Sequence, residues 1–227
     1  MYAIVTGMDW LRGYYAIVDA KAGELADLAA LEARARALLA AKPCCLQLRA
    51  KGAEAAPMRD AALRLRDLCR AAGVPFCVND RLDVALAVGA DVCHLGQEDL
   101  PLADALRVRK LAGAEKMVIG ISTHALAQAR AAADGGADYI GFGPCFPTLS
   151  KANPDPVVGL EALAAVCADV HVPVVAIGGI ELEAASLVAR AGAAAAAVIS
   201  AIDRAADPTA AGRLVGAAFP ARVTARA

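Results

Sequence analysis

Polar side chains with phosphate-binding chemistry follow several short apolar runs of this sequence. The segment QLRAK places Gln47, Arg49 and Lys51 at alternating positions, so that in an extended strand all three point the same way. A guanidinium binds phosphate oxygens as a planar fork, and an ammonium acts as a point charge. Arg49 and Lys51, together with Lys151 further along the chain, can therefore neutralise a polyphosphate.

Two carboxylates follow two other apolar runs: Asp80 in VNDR and Asp99 in HLGQED. Neither has a cysteine or histidine beside it in a metal-ligand pattern. Hard oxygen ligands suit Mg²⁺ held jointly with the phosphates of a substrate, so the pair predicts a magnesium site. The alternatives for Asp80 are a helix cap, or an ion pair with Arg81 or Arg49.

A second anion site is indicated nearer the C-terminus. Gly178 and Gly179 let the backbone approach a ligand closely, and the segment SAI (200–202) exposes further amides. Barrels often bind phosphate between the loops after strands 7 and 8, where N–H groups favour anions. Two anion sites imply two phosphorylated ligands, or one ligand with phosphates at both ends.

The elements that must position these residues alternate regularly. Apolar, β-branched runs predict strands at 14–19, 45–49, 75–80, 91–95, 117–122, 138–142, 172–179 and 196–202. Alanine-rich segments between them predict helices near 25–41, 58–72, 82–88, 101–112, 124–135, 159–168, 181–190 and 208–218. Eight strand–helix units in 227 residues favour an α/β fold closed as a single (β/α)₈ TIM barrel over an open doubly wound sheet.

The start of the chain contains a near-repeat, YAIV, at 2–5 and at 15–18. The spacing to the first helix favours the second copy as the first strand. Residues 1–12 would then cap the base of the barrel or lie loose. Since no linker or low-complexity segment interrupts the chain, we expect residues 1–227 to form one domain.

Composition excludes several classes of function. Hydrophobic residues make up 59% of the chain and the net charge is −1, without a basic or acidic block, so no footprint for nucleic acid or anionic lipid is present. No run reaches the roughly 20 apolar residues of a membrane span, and no secretory signal is evident, so we expect a cytoplasmic protein. The seven cysteines are expected to be reduced and buried, with the role of Cys145 left open.

The motifs QLRAK, VNDRLDVALAVGADVCHLGQEDLP, IGISTH, ADYIGFGPCFPTLSK, PVVAIGGI and VISAI occur in this order. In this order and spacing, from about Tyr14 to Pro208, the sequence resembles the thiamine-phosphate synthase family. The resemblance implies a (β/α)₈ barrel that joins hydroxymethylpyrimidine diphosphate to hydroxyethylthiazole phosphate, or to its carboxylated form, and releases pyrophosphate with Mg²⁺ as cofactor. A homo-oligomer is compatible with it.

The resemblance also implies a role for individual residues. Asp80 and Asp99 would hold Mg²⁺. The pyrimidine diphosphate would be bound by Gln47, Arg49, Lys51, Asn79, Ser122 and Lys151, of which Arg49, Lys51, Ser122 and Lys151 would act in catalysis. The thiazole phosphate would be bound by Thr148, Ser150, Gly179, Ile199 and Ser200.

The chemistry so implied is a dissociative displacement in which the thiazole nitrogen attacks a pyrimidine methylene cation. It requires positioning and charge stabilisation but no protein nucleophile. Packing or exposure is therefore expected for His94 and His171, and His124 is left open between a helix start and a site residue. The alternatives are a thiazole tautomerase-like relative, a catalytically silent barrel that binds phosphates of the thiamine pathway, and a phosphosugar epimerase or isomerase.

Overall fold

The computed structural model describes residues 8–148 and 155–219. Within these ranges eight parallel strands close into a barrel in sequence order, because β1 pairs with both β2 and β8. The strands are Gly13–Asp19 (β1), Cys45–Arg49 (β2), Phe76–Asn79 (β3), Val92–Leu95 (β4), Val118–Thr123 (β5), Tyr139–Phe142 (β6), Val174–Ile177 (β7) and Ala195–Val198 (β8). The predicted (β/α)₈ barrel is confirmed, and the pairing of the first strand with the last excludes an open sheet.

Helices follow each strand on the outside of the barrel. They are Leu28–Leu39 (α1), Ala55–Ala72 (α2), Leu82–Val88 (α3), Leu102–Leu111 (α4), Leu126–Asp134 (α5), Gly159–Asp169 (α6), Ala185–Arg190 (α7), Ser200–Asp203 (α8) and Pro208–Ala217 (α9). Short 3₁₀ turns at Ala22–Ala26 and Leu182–Ala184 precede α1 and α7. Among the helices described, none has the length and apolar character that crossing a bilayer requires.

The last strand differs from its prediction. Residues 196–202 were predicted as a strand, but β8 ends at Val198 and Ser200 begins the four-residue helix α8. The alanine-rich run carries no local signal for this boundary, because alanine tolerates both conformations. The boundary lies where pairing ends: Val198 is the last residue of β8 paired with β1.

Alternate residues of each strand face two separate cores. Those that point outward pack against the helices, whereas those that point inward form an interior cluster that includes Tyr15, Cys45 and Ala195. Leu11, before β1, is buried in this interior cluster and lies at its base. The first YAIV copy lies outside the described residues, and the second forms part of β1.

Candidate active site

The carboxylates of Asp80 and Asp99 lie side by side at the end of the barrel where the strands terminate. Burial raises the pKa of Asp80 to about 6, and the charge and hydrogen-bonding contact of Asp99 add to the rise. Asp80 follows β3 and adopts a left-handed conformation with φ of 64°, while its N–H donates to the His94 carbonyl at 2.8 Å. Two adjacent carboxylates of this kind supply the hard oxygen ligands that a divalent cation prefers.

The alternatives for Asp80 do not match its contacts. The N-cap of α3 is Arg81, without a side-chain cap bond, and the Arg81 guanidinium pairs with Asp83. Arg49 pairs with Asp19, the last residue of β1. Asp80 is therefore neither the cap of α3 nor the ion-pair partner of either arginine.

Two cations flank the carboxylate pair. The Lys51 Nζ lies 4.0 Å from the Asp80 carboxylate, and both Lys51 and Arg49 oppose the rise in the pKa of Asp80. The Arg49 side chain is 19% exposed and is oriented by its ion pair with Asp19. Asp19 was not among the residues predicted from the sequence, although its position at the end of β1 is the same signal that identified the other strand-end residues.

The donor set fits a divalent cation bound together with a phosphorylated ligand. Among the described residues, no group of three or more His, Cys, Asp or Glu side chains converges as a metal site. The protein would thus supply two carboxylates, from Asp80 and Asp99, and phosphate oxygens and water would complete the coordination. Mg²⁺ has this preference, since it usually keeps several waters and few protein ligands.

The remaining residues predicted to bind the diphosphate lie on neighbouring strands. Gln47 and Asn79 are buried in the barrel interior, and Ser122 is partly buried near the end of β5. The Ser122 hydroxyl is 2.9 Å from Nε2 of His94, and its carbonyl accepts from Gln97 at 2.6 Å. We refer to Arg49, Lys51, Asn79, Asp80, Asp99 and Ser122 as the carboxylate side of the site.

Packing or exposure rather than catalysis was expected for His94, and its ring lies in the barrel with both nitrogens in hydrogen-bond contact. Its ring joins the Ser122 hydroxyl to the Tyr139 hydroxyl, with Nδ1 and Tyr139 also 2.9 Å apart. Burial lowers the pKa of His94 to about 4, with Asp99 opposing, so the imidazole is neutral at pH 7. The strand alternation that places His94 inward was available from the sequence, but its partners were not.

The opposite side of the barrel end is formed by backbone. The loop after β6 continues along β7: the N–H groups of Cys145 and Phe146 donate to the carbonyls of Ile177 and Gly178 at 2.9 and 3.0 Å. At Gly179, with φ of +64°, an added Cβ would lie 2.3 Å from the Pro147 carbonyl oxygen. Only glycine allows this close approach.

The ends of β7 and β8 meet at this place. Ile177 is in register with Ala197, so two residues further along Gly179 and Ile199 leave the barrel at the same level. Ile199 caps α8, and the first amides of a helix have no partner within it. We refer to Thr148, Gly179, Ile199 and Ser200 as the amide side of the site.

Two of the predicted site residues, Ser150 and Lys151, lie outside the described residues. Thr148 is partly buried and directly follows Pro147 in the loop that touches Gly179. Gln47 lies in the barrel interior beneath this end, and the structure brings the other predicted residues to the end itself, on two sides.

His124 and Cys145, whose roles were left open, have structural partners. His124 Nδ1 donates to the Gly143 carbonyl at 2.5 Å, and its Nε2 is 3.5 Å from the Asp155 carboxylate. The ring therefore joins the two ends of segment 143–155. Cys145 is buried, and burial raises the pKa of its thiol to about 11, so it is a packing residue and not a nucleophile.

Comparison with known proteins identifies the family of this chain. A family model described as thiamine monophosphate synthase matches residues 14–202. The chain belongs to this family. The thiamine-phosphate synthase of Chloroflexus aurantiacus is 49% identical over 168 residues, covering 74% of this chain and 76% of that protein. The thiamine-phosphate synthase of Anaeromyxobacter dehalogenans is 46% identical over 194 residues, covering 86% of this chain and 85% of that protein.

Solved structures extend the comparison to the fold. The thiamine phosphate pyrophosphorylase from Pyrococcus furiosus superposes with a TM-score of 0.80 at 35% identity, covering 93% of this chain and 97% of that chain. A 3-hexulose-6-phosphate synthase at 18% identity and a TM-score of 0.64 shares the fold alone. The curated relatives are transferases of thiamine biosynthesis, and membership of their family is consistent with a metal-dependent enzyme acting on small phosphorylated substrates.

Proposed function

We propose that this chain is a Mg²⁺-dependent thiamine-phosphate synthase. It joins hydroxymethylpyrimidine diphosphate to hydroxyethylthiazole phosphate, or to its carboxylated form, and releases pyrophosphate. The observation that carries the proposal is the Asp80–Asp99 pair, flanked by Lys51 and Arg49, across the barrel end from a separate amide-lined side. Family membership supports the same activity.

The carboxylate side binds the diphosphate of the pyrimidine. Arg49 and Lys51 neutralise its oxygens, and the Ser122 hydroxyl donates to it. Gln47, Asn79 and Lys151 are its further predicted ligands. Asp80 and Asp99 would hold Mg²⁺, which when bound neutralises charge on the phosphates. Burial, together with the adjacent Asp99 carboxylate, raises the pKa of Asp80, and a bound cation would offset both effects.

The amide side binds the thiazole phosphate. The backbone N–H groups of Gly179, Ile199 and Ser200 and the Thr148 hydroxyl donate to its oxygens, with Ser150 from the same loop. This holds the thiazole nitrogen facing the pyrimidine methylene carbon. The C–O bond to the diphosphate breaks, the pyrimidine carries the cation, and the nitrogen lone pair forms the new C–N bond.

Catalysis then consists of orientation and stabilisation of the departing pyrophosphate, without a protein nucleophile. The buried, protonated thiol of Cys145 is consistent with a reaction that uses no protein nucleophile. The cytoplasmic location and a homo-oligomer remain predictions.

The test is to mix purified protein with both substrates and Mg²⁺ and to follow thiamine phosphate and pyrophosphate. Asp99→Asn retains an acceptor for the Gly96 N–H and should lower turnover at least 100-fold. The control is Asp104→Ala, a partly exposed residue of α4 paired with Arg107, which should leave turnover unchanged. Absence of both products with the unaltered protein would overturn the proposal, and conversion of the thiazole phosphate alone would indicate a tautomerase.

A further inference from the structure

A row of polar side chains crosses the barrel interior beneath the site. Gln47 Nε2 lies 3.2 Å from the Tyr15 hydroxyl, which lies 3.1 Å from the Tyr139 hydroxyl. Tyr139 is 2.9 Å from Nδ1 of His94, whose Nε2 is 2.9 Å from the Ser122 hydroxyl. These five residues come from five different strands and connect two of the residues proposed to bind the diphosphate.

The interior is shaped to hold this row. At Gly120 an added Cβ would lie 2.1 Å from the ring of Tyr139, and at Gly141 it would lie 3.1 Å from the ring of His94. The two tyrosines are almost completely buried, with ring centroids 6.3 Å apart. Glycines at these inward positions therefore provide the space that the tyrosine and the imidazole occupy.

Burial makes each hydrogen bond of the row matter. A buried hydroxyl without a hydrogen-bond partner destabilises the fold, because its removal from water is not compensated. An aliphatic side chain at the same position carries no such cost. Other inward positions, such as Val92, Val175 and Ala195, are filled with aliphatic side chains. Polar side chains are thus not required to fill the barrel at this depth. The row ends at Ser122, which is a residue of the proposed site.

One orientation of the hydrogens runs through the whole row, starting from the Gln47 amide nitrogen, which can only donate. The Gln47 nitrogen donates to the Tyr15 oxygen and to the Cys77 sulfur, and in this orientation the Tyr15 hydrogen is donated to Tyr139. Tyr139 then donates to Nδ1 of His94, and a neutral imidazole carries its hydrogen on Nε2 and donates to the Ser122 oxygen. The Ser122 hydrogen is left pointing away from the row.

We propose that the Tyr15 and Tyr139 hydroxyls are positioning residues that fix His94 as the Nε2–H tautomer and thereby direct the Ser122 hydroxyl hydrogen toward the bound diphosphate. The effect on catalysis rests on the proposed function, since it requires a diphosphate beside Ser122. The effect on the His94 tautomer does not.

Tyr139→Phe and Tyr15→Phe test the proposal, because each removes one oxygen and keeps the ring. The matched control is Tyr14→Phe. Tyr14 neighbours Tyr15 but faces α9, and among the described residues its buried hydroxyl has no hydrogen-bond partner. Its removal should change neither activity nor the His94 tautomer.

The first measurement is ¹⁵N NMR of the imidazole rings. The sequence has three histidines, so His94 can be assigned by comparison with a His94→Gln variant. We expect the Nε2–H tautomer in the unaltered protein and a mixture of tautomers in Tyr139→Phe. An Nδ1–H tautomer in the unaltered protein, or an unchanged ratio in Tyr139→Phe, would overturn the proposal.

The second measurement is steady-state kinetics with thermal unfolding. Tyr139→Phe should lower kcat/KM for the pyrimidine diphosphate about tenfold, the effect of one misdirected hydrogen bond, with KM for the thiazole phosphate unchanged. Tyr15→Phe, one bond further away, should show a smaller loss, and it carries the test if Tyr139→Phe does not fold. An equal loss of kcat/KM for both substrates, or the same loss of kcat/KM in Tyr14→Phe, would refute the proposal. Failure of the unaltered protein to form thiamine phosphate would refute the proposed function, and the NMR result would still decide the tautomer.

Discussion

Replacing Asp80 by Asn should stabilise the metal-free protein at neutral pH while abolishing its activity. Asn keeps the size of the side chain and tolerates the left-handed backbone at this position, where φ is 64°. The substitution removes one of two adjacent carboxylates whose burial and mutual repulsion oppose folding.

The magnitude follows from the pKa of Asp80, which rises from 3.8 to about 6 on folding. A shift of about two units corresponds to ~3 kcal/mol, and partial solvent exposure reduces this to about 1–2 kcal/mol. Because the folded-state pKa is raised, the folded carboxyl holds its proton more tightly than the unfolded one. The cost is therefore fully present above about pH 6 and disappears as the pH falls below 3.8.

The assay is urea unfolding of both proteins in EDTA at several pH values between 4 and 7.5. The free energy of unfolding of Asp80→Asn should exceed that of the unaltered protein by about 1–2 kcal/mol at pH 7.5, and the difference should shrink steadily as the pH falls from 6 to 4. Asp83→Asn is the control. It should lower the free energy of unfolding at pH 7.5, because the ion pair with Arg81 lowers the pKa of Asp83. A loss of stability in Asp80→Asn at pH 7.5, or a gain that does not depend on pH, would contradict the argument.

Three further predictions concern the loop after β6. Gly179→Ala would place a methyl group 2.3 Å from a loop carbonyl, so KM for the thiazole phosphate should rise at least tenfold, a loss of about 1.4 kcal/mol or more in binding. Gly52→Ala, which has a similar φ but open space, should lose only about 1–2 kcal/mol of stability and leave that KM unchanged. His124→Ala releases both ends of segment 143–155 and should raise the same KM severalfold, whereas His171→Ala, at an exposed position, should not. Cys145→Ala should keep kcat within about twofold. Alkylation of this thiol in the folded protein should be slow, because burial raises its pKa to about 11. Rapid inactivation through Cys145 would show that the thiol is accessible and reactive.

Much of the site could be predicted because the fold follows from local patterns. Eight apolar runs separated by alanine-rich segments specify parallel strands, and the ends of parallel strands meet at one edge. This is why Asp80 and Asp99, which follow different strands, were predicted to lie together and do so. Inward and outward orientation also follows from the period of two within each strand.

The partners of these residues could not be predicted in the same way. His94 was an isolated histidine in an apolar strand, and its hydrogen-bond partners lie 28 and 45 residues further along the chain. Tyr15 and Tyr139 are 124 residues apart. Their contact depends on closure of the barrel and on the stagger between strands, which no local pattern encodes.

The sequence by itself determined the number and order of the strands and, except at β8, the polar residues that follow them, since apolar periodicity and turn residues act locally. Only the tertiary structure decided that β8 stops at Val198, that Asp19 orients Arg49, and that a buried polar row joins Gln47 to Ser122. The physical reason is that hydrogen bonds and ion pairs act over a few ångströms, so distant residues interact only after the closed barrel has set their distance.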